Sequence, residues 1–167
     1  MELKLGDVEE TALIPLAVRA TETKRKNARV IDRKAVEIID KLHIDTKNFD
    51  KLITHECVVA RTILFDETLR RYISRYPDAV VLNIGCGLDD RFSRVDNGRI
   101  EWYNIDLPDA IEVRRRVFSE SAREHMLGCD ILDAGWTGGI AKDKTVIVVA
   151  EGLLMYFSKE QVCAVLK

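Results

Sequence analysis

The sequence predicts an α/β fold in which a helical cap precedes a partial parallel sheet of about four strands. Three observations carry this expectation. Residues 8–76 place apolar side chains at helical spacing. From Pro77 onward, near-continuous apolar runs of strand length alternate with helix-forming stretches. The first of those runs breaks into Gly85-Cys86-Gly87. Strands that are apolar at nearly every position are buried on both faces, which is the condition of a parallel sheet covered by helices on each side. The expected organisation is a cap over residues 1–76 and an α/β half over residues 77–167, joined in one compact unit.

Taken in order, the cap carries two stripes, Ile31, Ala35, Ile38, Ile39 and Leu42, then Val58, Thr62, Phe65, Leu69 and Ile73. Both read as inward-facing packing surfaces. Lys24-Arg25-Lys26 reads as a solvated face, because the charges of this half nearly cancel. Ala79 to Ile84 is the first strand, valine-rich and closed by glycine, and Glu101 to Asp106 is the second. Pro108 opens the next helix, where its missing N–H costs nothing, and Ile111, Val117, Phe118 and Ala122 line that helix's buried side. A third strand is expected over His125 to Cys129 and a fourth over Thr145 to Ala150. Ser158 and Gln161 form a capping box for a final helix bearing Val162, Val165 and Leu166.

Composition excludes several classes. A net charge of −2 supplies no broad basic field, so nucleic acid is not an expected partner. No apolar run approaches a membrane span of roughly 18 residues, and MELKLGDVEE lacks the pattern of a signal peptide. Cys57, Cys86, Cys129 and Cys163 form no CxxC pair, and His43, His55 and His125 are scattered. Neither a metal site nor a disulfide framework is expected, and the chain reads as a reduced, cytoplasmic protein.

The stretch VVLNIGCGLDDR carries the chemistry. In open parallel sheets a ligand lies beyond the carboxyl ends of the strands, beside a glycine-rich turn that bends sharply and lets backbone approach it. GxG alone is weak evidence. It gains weight from Asp106, which ends the second strand nineteen residues after Gly87, near the spacing at which an acid accepts hydrogen bonds from ribose hydroxyls. The alternative for Asp106 is a helix-start acid before Pro108. A nicotinamide dinucleotide and S-adenosylmethionine both carry adenosine. The third glycine of the dinucleotide fingerprint is replaced here by Asp90, directly after Asp89. Two carboxylates there would repel a pyrophosphate but not a sulfonium, so the charge favours S-adenosylmethionine over a nicotinamide-dependent oxidoreductase.

VVLNIGCGLDDR, WYNIDLPDAI, CDILDAGW and VIVVAEGLLMYF occur in this order, with TALIPLAVRATETKR and ARTILFDETL before them. Together they resemble the leucine carboxyl methyltransferase family, including its polyketide-biosynthesis O-methyltransferase branch, from about residue 11 onward. The resemblance implies a Rossmann-like class I methyltransferase sheet with its helical cap. It also implies S-adenosylmethionine as cofactor, with Gly85 and Gly87 against its amino-acid moiety, Asp106 on the ribose, and Asp130 with Ile131 flanking adenine. Arg61 and Arg19 would pair with the cofactor's carboxylate, a role suited to the guanidinium fork, with Lys24 a weaker candidate. Glu151 would face the ammonium or sulfonium region and Tyr156 the substrate pocket, the alternatives being a helix-start carboxylate and a packing aromatic. Cys86 is read only as small enough for the turn. One departure is Asp90, where the family often has threonine.

The implied reaction is methyl transfer to a carboxylate or acidic hydroxyl of a small molecule. A carboxylate acceptor needs no general base at neutral pH, no histidine stands beside the site motifs, and no catalytic residue is assigned. The second departure is length. The family's sheet continues with about three more strands, so the chain reads as the cofactor half. Its fourth strand would then offer an apolar edge to a missing C-terminal segment or a second copy of the chain. A cofactor-binding module without turnover is the alternative function.

Overall fold

In a computed structural model of the chain, residues 10–48, 52–133, 135–138, 140 and 143–165 are described. Four strands, Val80–Ile84 (β1), Glu101–Asp106 (β2), Glu124–Gly128 (β3) and Val146–Ala150 (β4), form one sheet in the order β3-β2-β1-β4. Every pairing is parallel, with Val80 opposite Glu101 and Val146, and Trp102 opposite Glu124. The α/β expectation therefore holds, and the strands fall within one residue of their expected bounds. β1 is buried along its whole length, as a central strand of a doubly covered sheet must be.

By its internal contacts the chain divides into two units, one of residues 1–74 and 88–96, the other of residues 75–87 and 97–167. The first is helical: Glu10–Thr23 (α1), Arg33–Lys41 (α2), Leu52–Arg75 (α3, whose last residue belongs to the other unit) and the short Arg91–Val95 (α4). The helical reading of residues 8–76 is thus broken into three helices with a loop and a 3₁₀ turn between them, and residues 8 and 9 lie outside the described residues. One member of the first stripe is corrected. Asp32 is the N-cap of α2, its carboxylate accepting from the Ala35 N–H at 2.8 Å, so Ile31 precedes the helix and is 51% exposed. Ala35, Ile38 and Ile39 are buried. The second stripe holds, with Val58, Thr62, Leu69 and Ile73 buried and Phe65 half-buried beneath the Arg91 guanidinium. Lys24, Arg25 and Lys26 are exposed, and Lys24 pairs with Asp40.

The second unit holds the sheet with Pro108–Arg115 (α5) and Lys159–Val165 (α6). Alternate residues separate its two faces. Val80, Leu82, Ile84 and Ile105 cluster with Ile131 and Ile140 on one face. Trp102, Asn104 and Met126 are buried on the other. Full burial of each aliphatic side chain contributes about 1.5–3 kcal/mol. α5 begins at Pro108 as expected but stops at Arg115, where the turn tightens: the Arg116 amide donates to the Val113 carbonyl and the Val117 amide to that of Arg114, each three residues back. Phe118 is still buried, whereas Ala122 lies beyond the helix and is exposed. The capping box forms as read: the Ser158 N–H donates to Gln161 Oε1 at 2.8 Å and the Gln161 N–H to Ser158 Oγ at 3.3 Å. Val165 packs on the first cluster, and Leu166 lies outside the described residues. Among the described residues, no helix is long and apolar enough to cross a membrane.

Candidate functional site

Because all four strands run in parallel, their carboxyl ends share one edge of the sheet. Along that edge, in the order β3, β2, β1, β4, follow Asp130, Asp106, the Gly85–Gly87 turn and Glu151. Three inter-strand steps of about 4.8 Å span roughly 14 Å. Three acids and a glycine turn, widely separated in sequence, are thereby lined up.

The turn wraps over the end of β2, where the amides of Gly85 and Cys86 both donate to the Ile105 carbonyl at 2.8 and 3.2 Å. Gly85 has φ +66° and Gly87 φ +47°. A Cβ at Gly85 would meet the Leu153 side chain at 3.0–3.2 Å, so glycine is required there for both shape and space. A Cβ at Gly87 would meet nothing within 4 Å, which leaves the outer side of the turn open to a ligand.

Asp106 is half-buried, and each of its oxygens accepts one backbone amide: Oδ2 from Gly87 at 2.8 Å, Oδ1 from Leu107 at 2.9 Å. Each carboxylate oxygen retains capacity for a further donor. Asp106 stands one residue before Leu107, the N-cap of α5, and ties down the turn. Asp130, half-buried, accepts from the Leu132 N–H at 2.9 Å, while Ile131 beside it is 8% exposed and belongs to the core cluster. Between these acids lies Cys129. Burial pushes its thiol pKa up, and the charges of Asp130, Asp133 and Asp106 push it further, so the thiol stays protonated and poorly nucleophilic. The edge is acidic. Glu151 is half-buried, and Tyr156, on a 3₁₀ turn over Leu154–Tyr156, is 67% exposed rather than a packing aromatic.

Within the helical unit, Arg19 is 4% exposed and does not stand alone. Its Nε donates to Asp32 at 2.7 Å and lies 3.6 Å from Asp89. The same cluster contains Arg94, which reaches Asp66 at 2.7 Å, Asp89 at 3.0 Å and Asp32 at 3.2 Å. Arg91 reaches Asp66 at 2.8 Å and Asp89 at 3.2 Å. Three guanidiniums thus face three carboxylates. For Asp89, burial pushes the carboxyl pKa up, but the attraction of Arg19, Arg94 and Arg91 outweighs it and the net shift is downward. Arg61 is half-buried on α3.

This cluster corrects the charge argument drawn from Asp89 and Asp90. Asp89 is compensated by three guanidiniums, and Asp90 accepts from the Ser93 hydroxyl at 2.8 Å. The pair does not present two bare charges, so its sign no longer separates a sulfonium cofactor from a pyrophosphate. The sequence reading also missed Asp32, Asp66, Arg91 and Arg94 as members of the cluster that contains Arg19. One signal was available, the spacing of Arg91 and Arg94 by a single helical turn.

A parallel sheet with a glycine turn and acids along its carboxyl edge places the chain in the general class of open α/β proteins that bind ligands at that edge. The chain belongs to the leucine carboxyl methyltransferase family, whose model matches residues 12–167. It is 33% identical over 159 residues to the tetracenomycin polyketide synthesis O-methyltransferase TcmP of Streptomyces glaucescens, covering 92% of this chain and 58% of that one. It is 27% identical over 184 residues to the S-adenosyl-L-methionine-dependent methyltransferase dpfgK of Gibberella zeae, covering 99% of this chain and 61% of that one. The chain therefore spans about three fifths of the length of these curated relatives.

Proposed function

We propose that this chain is the cofactor-holding part of an S-adenosylmethionine-dependent O-methyltransferase acting on a carboxylate or acidic hydroxyl of a small molecule. The observation that carries the proposal is the alignment of Asp130, Asp106, the glycine turn and Glu151 along one edge of the sheet. Family membership and the names of both relatives support it.

The residues fit the group on two counts: the open space outside Gly87 and the remaining acceptor capacity of Asp106. In this reading Asp106 accepts from the ribose hydroxyls, and Asp130, above the apolar Ile131, accepts from the adenine amine. Gly85 and Gly87 lie along the amino-acid arm, whose ammonium Glu151 faces. Tyr156 borders the acceptor. The bound cofactor would supply an electrophilic methyl group on a cationic sulfur. The protein's contribution is alignment, holding the acceptor oxygen in line with the S–CH₃ bond and excluding water. A carboxylate acceptor is already ionised at neutral pH and asks for no proton transfer.

The proposal includes a cytoplasmic setting, in which the four cysteines stay reduced. β4 pairs only with β1 among the described strands, and Val146 and Val148 are 42% and 49% exposed. That edge supports a further strand lying against β4, from a longer form of the chain or from a second copy.

The test is isothermal titration of the chain with S-adenosylmethionine and S-adenosylhomocysteine, beside Asp106→Ala. Binding that weakens at least about tenfold in the variant supports the site, as loss of a charge-assisted hydrogen bond of about 1.5–3 kcal/mol requires. A folded wild-type chain that binds neither ligand overturns the reading.

A further inference from the structure

Arg114 has no exposed surface, so it touches no ligand, and yet it ends on the glycine turn. Its Nη1 donates to the Gly87 carbonyl at 3.0 Å. Since Asp106 accepts from the N–H of the same residue at 2.8 Å, both polar backbone groups of Gly87 are held by side chains. The guanidinium is itself fixed. It stacks on the Phe118 ring, 3.9 Å from the centroid, and its Nη2 lies 3.7 Å from Glu124 Oε1. Glu124 in turn accepts from Asn104 Nδ2 at 2.8 Å, and Asn104 Oδ1 accepts from Asn83 Nδ2 at 3.2 Å and from Trp102 Nε1 at 2.9 Å. A chain of buried polar contacts thus runs from β1 through β2 and β3 to α5 and back to the turn that follows β1.

We propose that Arg114 is a positioning residue, holding the Gly87 carbonyl so that the open side of the turn is set for the cofactor's amino-acid arm. The inference rests on the cofactor reading above. Burying a guanidinium carries a desolvation cost of several kcal/mol, and an apolar side chain of similar volume often packs at least as stably. Packing alone therefore does not account for an arginine at this place. Its reach to a carbonyl at a left-handed glycine does.

The test compares Arg114→Met and Arg114→Lys with Ile111→Val, a core truncation one turn earlier on the same helix. Two quantities are read for each: the affinity for S-adenosylmethionine, and the Gly87 amide signal in the ligand-free protein labelled with ¹⁵N-glycine. The chain has nine glycines, so the spectrum is sparse, and Gly87→Ala identifies the signal. Arg114→Met is expected to weaken binding about tenfold or more and to shift the Gly87 signal, with Arg114→Lys intermediate. Ile111→Val is expected to lower the melting temperature while leaving both quantities unchanged. A Gly87 signal and an affinity that stay at wild-type values in folded Arg114→Lys or Arg114→Met overturn the inference, as does an equal loss of affinity in Ile111→Val. A wild-type chain that binds no cofactor overturns the cofactor reading and this role in binding, whereas a Gly87 signal that still shifts upholds the anchoring of the turn.

Discussion

The N–H of Gly87 donates to Asp106 Oδ2 at 2.8 Å, so the acid that ends β2 holds the turn that follows β1. Its hold on the turn does not depend on a ligand, and substitutions can separate the two duties. Asp106→Asn keeps an oxygen able to accept from Gly87 but removes the charge. It should bind S-adenosylmethionine more weakly than wild type while melting closer to wild type than Asp106→Ala does. Equal melting temperatures for the two variants would show that the Gly87 bond contributes nothing to the fold.

Gly85 is the most constrained residue of the turn. Gly85→Ala combines φ +66° with a contact to Leu153 at 3.0–3.2 Å, and is expected to cost about 1–3 kcal/mol in urea unfolding. Truncating Leu153 to alanine in that background should recover the steric part and leave the backbone part. Gly87→Ala, which meets open space, should cost less. A larger loss at Gly87 than at Gly85 would contradict this geometry.

The Arg19, Arg91 and Arg94 cluster predicts a large effect from one atom. Asp89→Asn leaves three nearby guanidiniums with one charge too few, the situation in which breaking a buried ion pair costs about 3–5 kcal/mol. Chemical denaturation provides the measurement. A change below about 1 kcal/mol would mean the cluster is screened as an exposed one is.

Stability should depend on pH through Glu22, a fully buried carboxylate on α1. Hydrogen bonds from the Arg29 side chain, with further ones from the Arg29 amide and His55, hold its pKa at about 2 against an ordinary 4.5. The folded state then binds fewer protons than the unfolded one. Its contribution is fully present above about pH 4.5 and is lost as pH falls toward 2. Melting temperatures recorded from pH 6 down to about 3 should fall less steeply for Glu22→Gln than for the parent. Parallel slopes would exclude Glu22 as a contributor.

Cys129 should be the slow thiol. At mild alkaline pH, iodoacetamide is expected to modify the exposed Cys57 and Cys163 well before Cys129, whose thiol is kept protonated by burial and by Asp130, Asp133 and Asp106. Mass spectrometry of the digested protein reads the order directly, and faster labelling of Cys129 would place it outside that acidic surrounding.

By itself the sequence determined the strands, the glycine turn and the acids at the strand ends. Those features are local: a valine-rich run, a glycine where φ must be positive, and a fixed spacing to the next strand's end. Parallel order then follows for β1, β2 and β3, because a helix stands between successive strands, whereas none stands between β3 and β4 among the described residues. Tertiary structure alone decided which charges meet. Asp89 and Asp90 read as exposed repulsion in the chain, but Asp89 lies against arginines 70 residues before it and two to five after it. Likewise Asn83 interrupts an apolar run for no visible local reason until the register puts it opposite Asn104. Arg114 stands in a run of three arginines, marked only by its helical spacing from Ile111 and Phe118. Hydrophobic pattern is written in neighbouring residues, whereas the partner of a buried charge is chosen by the fold, because only there does desolvation make an unpaired charge costly.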